Sequence, residues 1–536
     1  MDGQITPARR EQPDGHMAGN LCKGGVDYTP TLDACRARKY KVPTVAGKPV
    51  RDSASVALYA RQRQMTHGQL HIGWARGEIT PPRKTFLLGQ FNTRISDEVL
   101  SPLTATALAL EVRDEDGGVE QAVMLTCDIA NDAFKPDLLR ALEGRCPDFD
   151  PAKLTVTCTH THTAPALTRG IYDEPEDDPD FMNPDEYREW MAAQLADIVA
   201  SAWTDREPGS VSRGFGYAVV GRCRRTVYAD GAAQMYGDPS RPDFRGFEAC
   251  DDHAVNMLFT RDRTGDLTGI VVNLACPAQC HESLEAFFAD YWHPVREAVA
   301  ERYGADVHLL SQCAPAGDLS PHLLMDQKEE ADLRSRLGVD DCGIITRRVM
   351  AAIDEGLATA SPAEDRVAFA HEVKAWRLPC LMVTAEQYEL EKRIPDMSEE
   401  ERRQQHFAFQ QIWPFGLVAD LVRRYEQQAE NPDHAVECHF IRLGDVVFAT
   451  NPFELFVDYG ARIRCRSRAL QTFLVQLGDG SGIGSYLPTQ RALDGGHYSA
   501  VIKSCWVGPE GGQVLVDNTV DTINSLFDGD DYPRTR

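Results

Sequence analysis

The chain contains no uninterrupted apolar run of about eighteen residues, which argues against a helix that crosses a membrane. It also lacks a basic excess. Lys and Arg total 56 against 81 Asp and Glu, a formal charge of −25, which argues against a surface that tracks nucleic-acid phosphates or docks on an anionic leaflet. No Cys-x-x-Cys pair occurs among the 15 cysteines. Several of these (Cys127, Cys158, Cys276, Cys313) sit inside apolar, strand-like runs, where buried thiols are common, so a disulfide scaffold is not expected. The opening Met1-Asp-Gly-Gln-Ile-Thr-Pro carries no apolar signal-peptide core, and with the cysteine usage this sets the expectation of a cytoplasmic protein. There is no internal repeat and no low-complexity tract.

What is present has the pattern of an α/β protein. Strand-like runs occur at Ala105–Val112, Gln121–Ile129, Leu154–Cys158, Gly269–Cys276, Val307–Gln312, Val446–Thr450 and Thr472–Leu477. Helical periodicity covers Pro184–Trp203, Tyr291–Tyr303 and Ile345–Ala358. Some of the strands alternate and some are continuously apolar, which predicts mixed β-sheets flanked by helices. Residues 1–68 are polar and rich in turn formers and are expected to form an N-terminal extension; residues 69–536 are the expected catalytic domain, with an exposed helical insertion around 385–432.

The chemistry gathers after the strands. Leu154-Thr-Val-Thr-Cys-Thr-His160-Thr-His162 places two imidazoles at i, i+2 on a strand end, aimed into one cleft; as metal ligand and proton carrier this pair is versatile, and as two ordinary histidines it is commonplace. Cys313-Ala-Pro-Ala-Gly317-Asp318-Leu-Ser320-Pro-His322 holds a serine hydroxyl on a rigid turn, or else caps the next segment. Asn451-Pro-Phe-Glu454 presents a carboxylate that is either a metal ligand or the acid of a first helical turn. Tyr486 and Tyr498, twelve residues apart across a Pro/Gly-rich loop, are phenol donors to one site or half-buried aromatics. The glycine string Gly478-Asp-Gly-Ser-Gly482-Ile-Gly484 fits neither a nucleophile elbow nor a dinucleotide fingerprint, and reads as a flexible lead-in to Tyr486.

Taken in order, His-Thr-His-Thr-x-Pro, Gly-Asp-x-Ser-Pro, the late Glu and the tyrosine pair resemble the neutral/alkaline (non-lysosomal) ceramidase family. Gly73-Trp-Ala-Arg-Gly-Glu-Ile-Thr-Pro81, Leu87-Leu-Gly89 and the terminal Val507-Gly-Pro509 extend that resemblance over roughly residues 70–525. It implies the fold of that family's catalytic domain, without the C-terminal immunoglobulin-like domain, and one zinc ion. By the same resemblance His160, Glu454 and Tyr486 hold the metal, His162 carries protons and Ser320 is the catalytic serine. Tyr498 lies on the oxyanion side, and Arg224 binds substrate with Arg225 as its rival; as a bare sequence feature that arginine run is a solvated loop. Asp318 steadies the Ser320 turn.

One departure stands out. Where the family has its second metal histidine, a few residues past Asn273, this chain has Pro277 or Ala278. His281 is the expected fourth ligand, with Gln279, Glu282 and His293 as rivals. The expected activity is zinc-assisted hydrolysis, most simply of an amide in a small soluble substrate. The chain is expected to work without nucleic acid or stable membrane association, and its oligomeric state is open. A carbohydrate- or ester-cleaving enzyme on the same fold, or a binding protein that has lost the metal, are the alternatives.

Overall fold

The computed structural model describes residues 65–529 apart from 91, 176–177, 395–396, 399–417 and 480–484. The unit Met1–Arg63 lies outside these residues, as does nearly all of the expected extension; the other unit, Gln64–Arg536, holds everything below.

Its principal strands are β1 (Thr66–Glu78), β2 (Thr104–Arg113), β3 (Val119–Cys127), β4 (Leu154–Cys158), β5 (Ser210–Tyr217), β6 (Ala254–Arg261), β7 (Leu267–Leu274), β8 (His308–Cys313), β9 (Arg366–Pro379), β10 (Asp433–Leu443), β11 (Val446–Thr450) and β12 (Gln471–Val475). The helices that flank them are α1 (Lys135–Leu142), α2 (Pro184–Thr204), α3 (Trp292–Tyr303), α4 (Asp341–Ala358), α5 (Val457–Arg466) and α6 (Pro509–Ser525). A nine-stranded mixed sheet runs β12-β11-β10-β9-β1-β2-β3-β4, with Glu207–Pro208 pairing beside β1; a four-stranded sheet runs β8-β7-β6-β5.

Side-chain alternation fixes the layers. Along β2, Leu108, Leu110 and Val112 join one core with Val211, Leu258, Val271 and Leu310 of the smaller sheet, so the two sheets pack face to face. The intervening Ala105, Ala107 and Ala109 point the other way, where their small size lets α2 come close through Leu195, Val199 and Ala202. On the smaller sheet Ile270 and Val272 face outward onto α3 and α4. The β10–β12 end of the large sheet buries Phe440, Val447 and Leu474 against α5 and α6. The result is a helix–sheet–sheet–helix stack with every central strand covered on both faces, the reason those strands read as unbroken apolar runs. Helix α2 begins at a capping box, in which the Asn183 side chain accepts from Glu186 N–H and Glu186 reaches back, with Pro184 at the first position.

The expected strands and helices are all present, shifted by a few residues at their ends. Five strands, β1, β5, β6, β9 and β10, were not among them. Within the expected insertion, helices Ala385–Arg393 and Val418–Gln427 are present, and residues 399–417 lie outside the described residues.

Three pairs of these principal strands are parallel: β3 with β4, β7 with β8, and β11 with β12. Their carboxyl ends converge, tied by Ala278 N–H to Thr159 O (3.0 Å), which joins the β4 and β7 ends, and by Gln476 N–H to Cys313 O (3.0 Å), which joins the β8 and β12 ends. Open sheets commonly bind ligands outside the carboxyl ends of their parallel strands. Here those ends lead directly into His160, Gln279, Ser320, Glu454 and Tyr486.

Candidate active site

The turn after β4 is held by its own backbone. His160 adopts φ = 61°, a left-handed conformation rare for a non-glycine residue, while its N–H donates to Ile129 O (3.0 Å). Its Nδ1 lies 2.6 Å from Ala130 O, which makes Nδ1 the protonated nitrogen and leaves the Nε2 lone pair facing the site. Nε2 stands 3.6 Å from Glu454 Oε2 and 3.4 Å from His162 Nε2. Thr161 and Thr163, the threonines between and after the histidines, both donate to Phe288 O and pin this turn to the loop after β7.

His162 is oriented from both sides. Glu282 Oε2 lies 3.0 Å from Nδ1, and Gln279 Nε2 lies 2.7 Å from Nε2, where it donates to the ring. Burial lowers the His162 pKa, with Glu282 opposing, so the ring is a neutral base toward the site. Burial acts to raise the pKa of Glu282, but contact with His162 and the nearby His322 and Arg224 hold it down to about 2. Gly89 explains itself here: a Cβ on it would stand 2.2 Å from His162 Cγ.

The other half of the site comes from the smaller sheet and the β11–β12 loops. Arg224, 2% exposed, donates from Nη1 to the Tyr236 hydroxyl (2.9 Å) and from Nη2 to Gly317 O (2.9 Å); Nη2 also lies 3.4 Å from the Tyr486 hydroxyl and 3.8 Å from Glu454 Oε2. Burial works against the Glu454 carboxylate, yet His160 and Arg224 keep its pKa below the ordinary value. Glu454 and Tyr486 sit on paired two-residue strands, directly opposite in register. The rings of Tyr486 and Tyr498 meet edge to face at 6.2 Å. Gly317 admits no side chain, because a Cβ would stand 2.3 Å from Glu454 O.

Ser320 is fully buried. Its Oγ accepts from His322 N–H (3.0 Å) and lies 3.0 Å from His322 Nδ1 and 3.4 Å from the Tyr236 hydroxyl. Asp318 accepts from Val457 N–H (2.8 Å), fastening the serine turn to the start of α5. Burial raises the Asp318 pKa to about 7. His322 Nδ1 stands 3.9 Å from Glu282 Oε1. The polar groups therefore close a ring: His160, His162, Glu282, His322, Ser320, Tyr236, Arg224, Glu454 and back to His160.

Every site residue expected from the sequence joins this neighbourhood except His281. Its N–H donates to Asp290 (3.0 Å) and its ring contacts Cys342 and Phe288, away from His160. The loop turns Gln279 and Glu282 inward instead. Arg224 and Arg225 separate cleanly. Arg225 points away, bonded to Glu248 (2.7 Å), Ser499 (2.8 Å) and Gly496 O (2.8 Å), and so holds the loop that carries Tyr498.

Two participants had no signal in the sequence. Tyr236 follows a short strand at φ = 53°. Arg94, 3% exposed, donates to four carbonyls, those of Leu88, His162, Glu282 and Leu284, and so clamps three separate segments around His162. His322 was visible beside the serine motif without a role. The glycine string's centre, residues 480–484, lies outside the described residues.

The donor set suits a divalent cation. With His160 Nδ1 protonated, the Nε2 lone pair and the Glu454 carboxylate are two acceptors facing each other across 3.6 Å, an arrangement that a cation relieves. Gln279 is fully buried and its Oε1 has no hydrogen-bond partner, so a neutral oxygen donor remains beside the two histidines. A depression of about 530 Å³, lined by Tyr236, Asp238, Ser240, Asp326 and Gln327 among others, opens next to Tyr236.

No protein-family model and no curated protein matches the chain. Solved structures do, among them two ceramidases. Neutral ceramidase from Pseudomonas aeruginosa superposes with a TM-score of 0.58 over 85% of this chain and 74% of that one at 15% identity. A ceramidase complexed with C2 gives 0.57 over 85% and 75% at 16% identity. At that identity the likeness is one of architecture, and the chain has the neutral ceramidase fold carried by a strongly divergent sequence.

Proposed function

We propose that this ring of residues is the active site of a metal-assisted hydrolase that cleaves an amide bond in a small, polar, water-soluble N-acyl substrate. The observation that carries the reading is the facing pair His160 Nε2 and Glu454 Oε2, 3.6 Å apart, beside a histidine whose far nitrogen is held by a carboxylate. His160, Glu454, Tyr486 and the Gln279 carboxamide oxygen would hold the ion. Zinc bound there supplies Lewis acidity toward a carbonyl and toward water.

His162 takes the proton of the attacking water on Nε2 and delivers it to the leaving nitrogen, while Glu282 fixes the Nδ1–H tautomer and stabilises the imidazolium. Formation of that charge frees the Gln279 amide from its hydrogen bond to Nε2. Arg224 and the Tyr498 hydroxyl donate to the oxyanion in a site shielded from water, where such donors act most strongly. Ser320 orients the water or the acyl group. Asp318 keeps the serine turn against α5.

The surroundings support this choice of substrate class. The depression beside Tyr236 is bordered by Asp238, Asp326, Lys328 and Glu329, groups that suit a polar ligand better than a long acyl chain. A formal charge of −25 opposes docking on anionic leaflets. Among the described residues no helix is long and apolar enough to cross a membrane. A screen of N-acyl amino acids, N-acyl sugars, aryl glycosides and long-chain ceramide in detergent tests the proposal. Chelator-sensitive, zinc-restored cleavage of a soluble N-acyl compound is expected. Turnover of ceramide at a comparable rate, or full activity of metal-free folded protein, overturns it.

A further inference from the structure

Residue His281, absent from the ring, belongs to a second cluster. Cys280, Asp290 and Cys342 bring one sulfur or carboxylate oxygen each to within 4.8 Å of one another, and the His281 side chain adjoins them, interacting with Cys342. Cys342 (3% exposed) and Asp290 (1% exposed) are buried, and Cys280 is half-buried. Cys342 is the second residue of α4, where the unpaired N–H groups and the helix dipole favour a thiolate; the Asp340 side chain caps the same end by accepting from Gly343 N–H (2.7 Å).

The loop is shaped to present these groups. Asp290, at φ = 54°, accepts Cys280 N–H on one oxygen and His281 N–H on the other, both at 3.0 Å, which leaves each carboxylate oxygen a further lone pair. Asp290 forms no ion pair with a lysine or arginine among the described residues. A buried carboxylate with no basic side chain paired to it, beside two sulfurs and an imidazole, is a set of metal-type donors without a built-in cation. A disulfide would use the two sulfurs and leave the imidazole and the carboxylate without purpose.

We propose that Cys280, Cys342 and Asp290, with the adjoining His281 imidazole turning in as the fourth donor, form a structural site for a borderline-soft divalent cation, zinc by chemistry: thiolate, imidazole and carboxylate are all zinc ligands, and four of them make its tetrahedral site. The ion staples the loop after β7 to α4. Because that loop carries Gln279 and Glu282, both in contact with His162, the staple sets the position of the candidate base from behind. This site is independent of the ion proposed at His160.

The test uses the full chain loaded with cobalt(II) as the probe. Thiolate-to-cobalt charge-transfer absorption with tetrahedral visible bands is expected in the wild type and in His160→Ala, and is expected to vanish in Cys342→Ser. The exposed thiols give the control: Cys250→Ser and Cys465→Ser keep the spectrum. As a readout that needs no variant to fold, thiol titration of the wild-type protein should show two cysteines protected until chelator is added. Wild-type protein without thiolate–cobalt absorption, or a Cys280–Cys342 disulfide in protein isolated under reducing conditions, overturns the proposal. Loss of hydrolase activity on every substrate leaves these readouts unmoved, so failure of the proposed function and failure of this site are told apart.

Discussion

Two buried histidine clusters hang from the same short strand, and they are built to opposite ends. At its middle, Val156 N–H donates to Asp479 (3.0 Å), and Asp479 and Glu437 both receive the Lys135 ammonium, at 2.7 and 2.8 Å. His439 stands 3.4 Å from that ammonium and 2.9 Å from His371, whose other nitrogen lies 2.9 Å from Gln121 O. Contact with His439 and Lys135 holds the Glu437 carboxyl down to about 2. At the strand's end, His160 and Glu454 face one another with the nearest fixed cation, Arg224, 3.8 Å from the carboxylate. Residue types alone favour Glu437, His439 and Asp479 as a metal group. The difference lies in the covalently attached cation: Lys135 fills the first cluster, whereas in the second His160 and Glu454 face each other and Arg224 is held by Tyr236 and Gly317 O. The first is a brace, and the second is where the proposed chemistry is placed.

The largest effect should come from the two histidines after β4. His160→Ala is expected to abolish both activity and the His160-site metal. His162→Ala should keep the metal and lose ~10²–10⁴ in kcat, the usual scale for a general acid/base. Elemental analysis beside steady-state kinetics checks this, and metal loss in both variants would reverse the roles. Lys135→Met probes the brace: removing one partner of a buried ion pair costs about 3–5 kcal/mol. Urea unfolding should register that loss while kcat/KM of the folded protein stays unchanged; a fall in kcat/KM at full folding would erase the distinction between the clusters. Glu282→Gln should lower kcat about 10–100-fold, the scale for losing a partner that orients a site histidine. Equal rates would make Glu282 a bystander.

The smallest effect concerns Asp318. Its folded pKa of about 7 lies above the ordinary carboxylate value, so between roughly pH 4 and 7 the folded state binds more protons than the unfolded state. Its contribution to stability is therefore fully present at low pH and is lost as pH rises toward 7. Asp318→Asn, which keeps an acceptor for Val457 N–H, should flatten that part of the stability–pH curve measured by thermal unfolding.

Periodicity located the buried strands well because both faces of β2, β3, β4, β7, β11 and β12 are covered, and continuous apolar character is a local property. It missed β1, β9 and β10, whose stretches carry His67, His71, His371 and His439 among charged residues; their strand state rests on long antiparallel pairing, for example Val373 opposite His439. The site motifs were legible where one turn supplies both chemistry and geometry, as in His160–His162 or Gly317–Ser320. Gln279 and Glu282 against His281 were not, because a loop's inward and outward faces depend on what it packs against. Here Asp290 and Cys342 draw His281 outward.

By itself the sequence determined which strands are buried, that a histidine pair, a serine turn, a late glutamate and two tyrosines follow strand ends, and that glycines stand at 89 and 317. Those are properties of short windows, written in periodicity and in single residues that a tight approach demands. Only the tertiary structure decided that the ends of three parallel pairs converge, that Tyr236 and Arg94 complete and clamp the ring, and that Arg224 rather than Arg225 faces it. It also decided that Lys135 is bonded into one histidine cluster, while at the other His160 and Glu454 face each other 3.6 Å apart. Each of those outcomes depends on groups far apart in sequence, such as Arg94 and Glu282 or Lys135 and Asp479, brought to hydrogen-bond distance by sheet packing that no local pattern encodes.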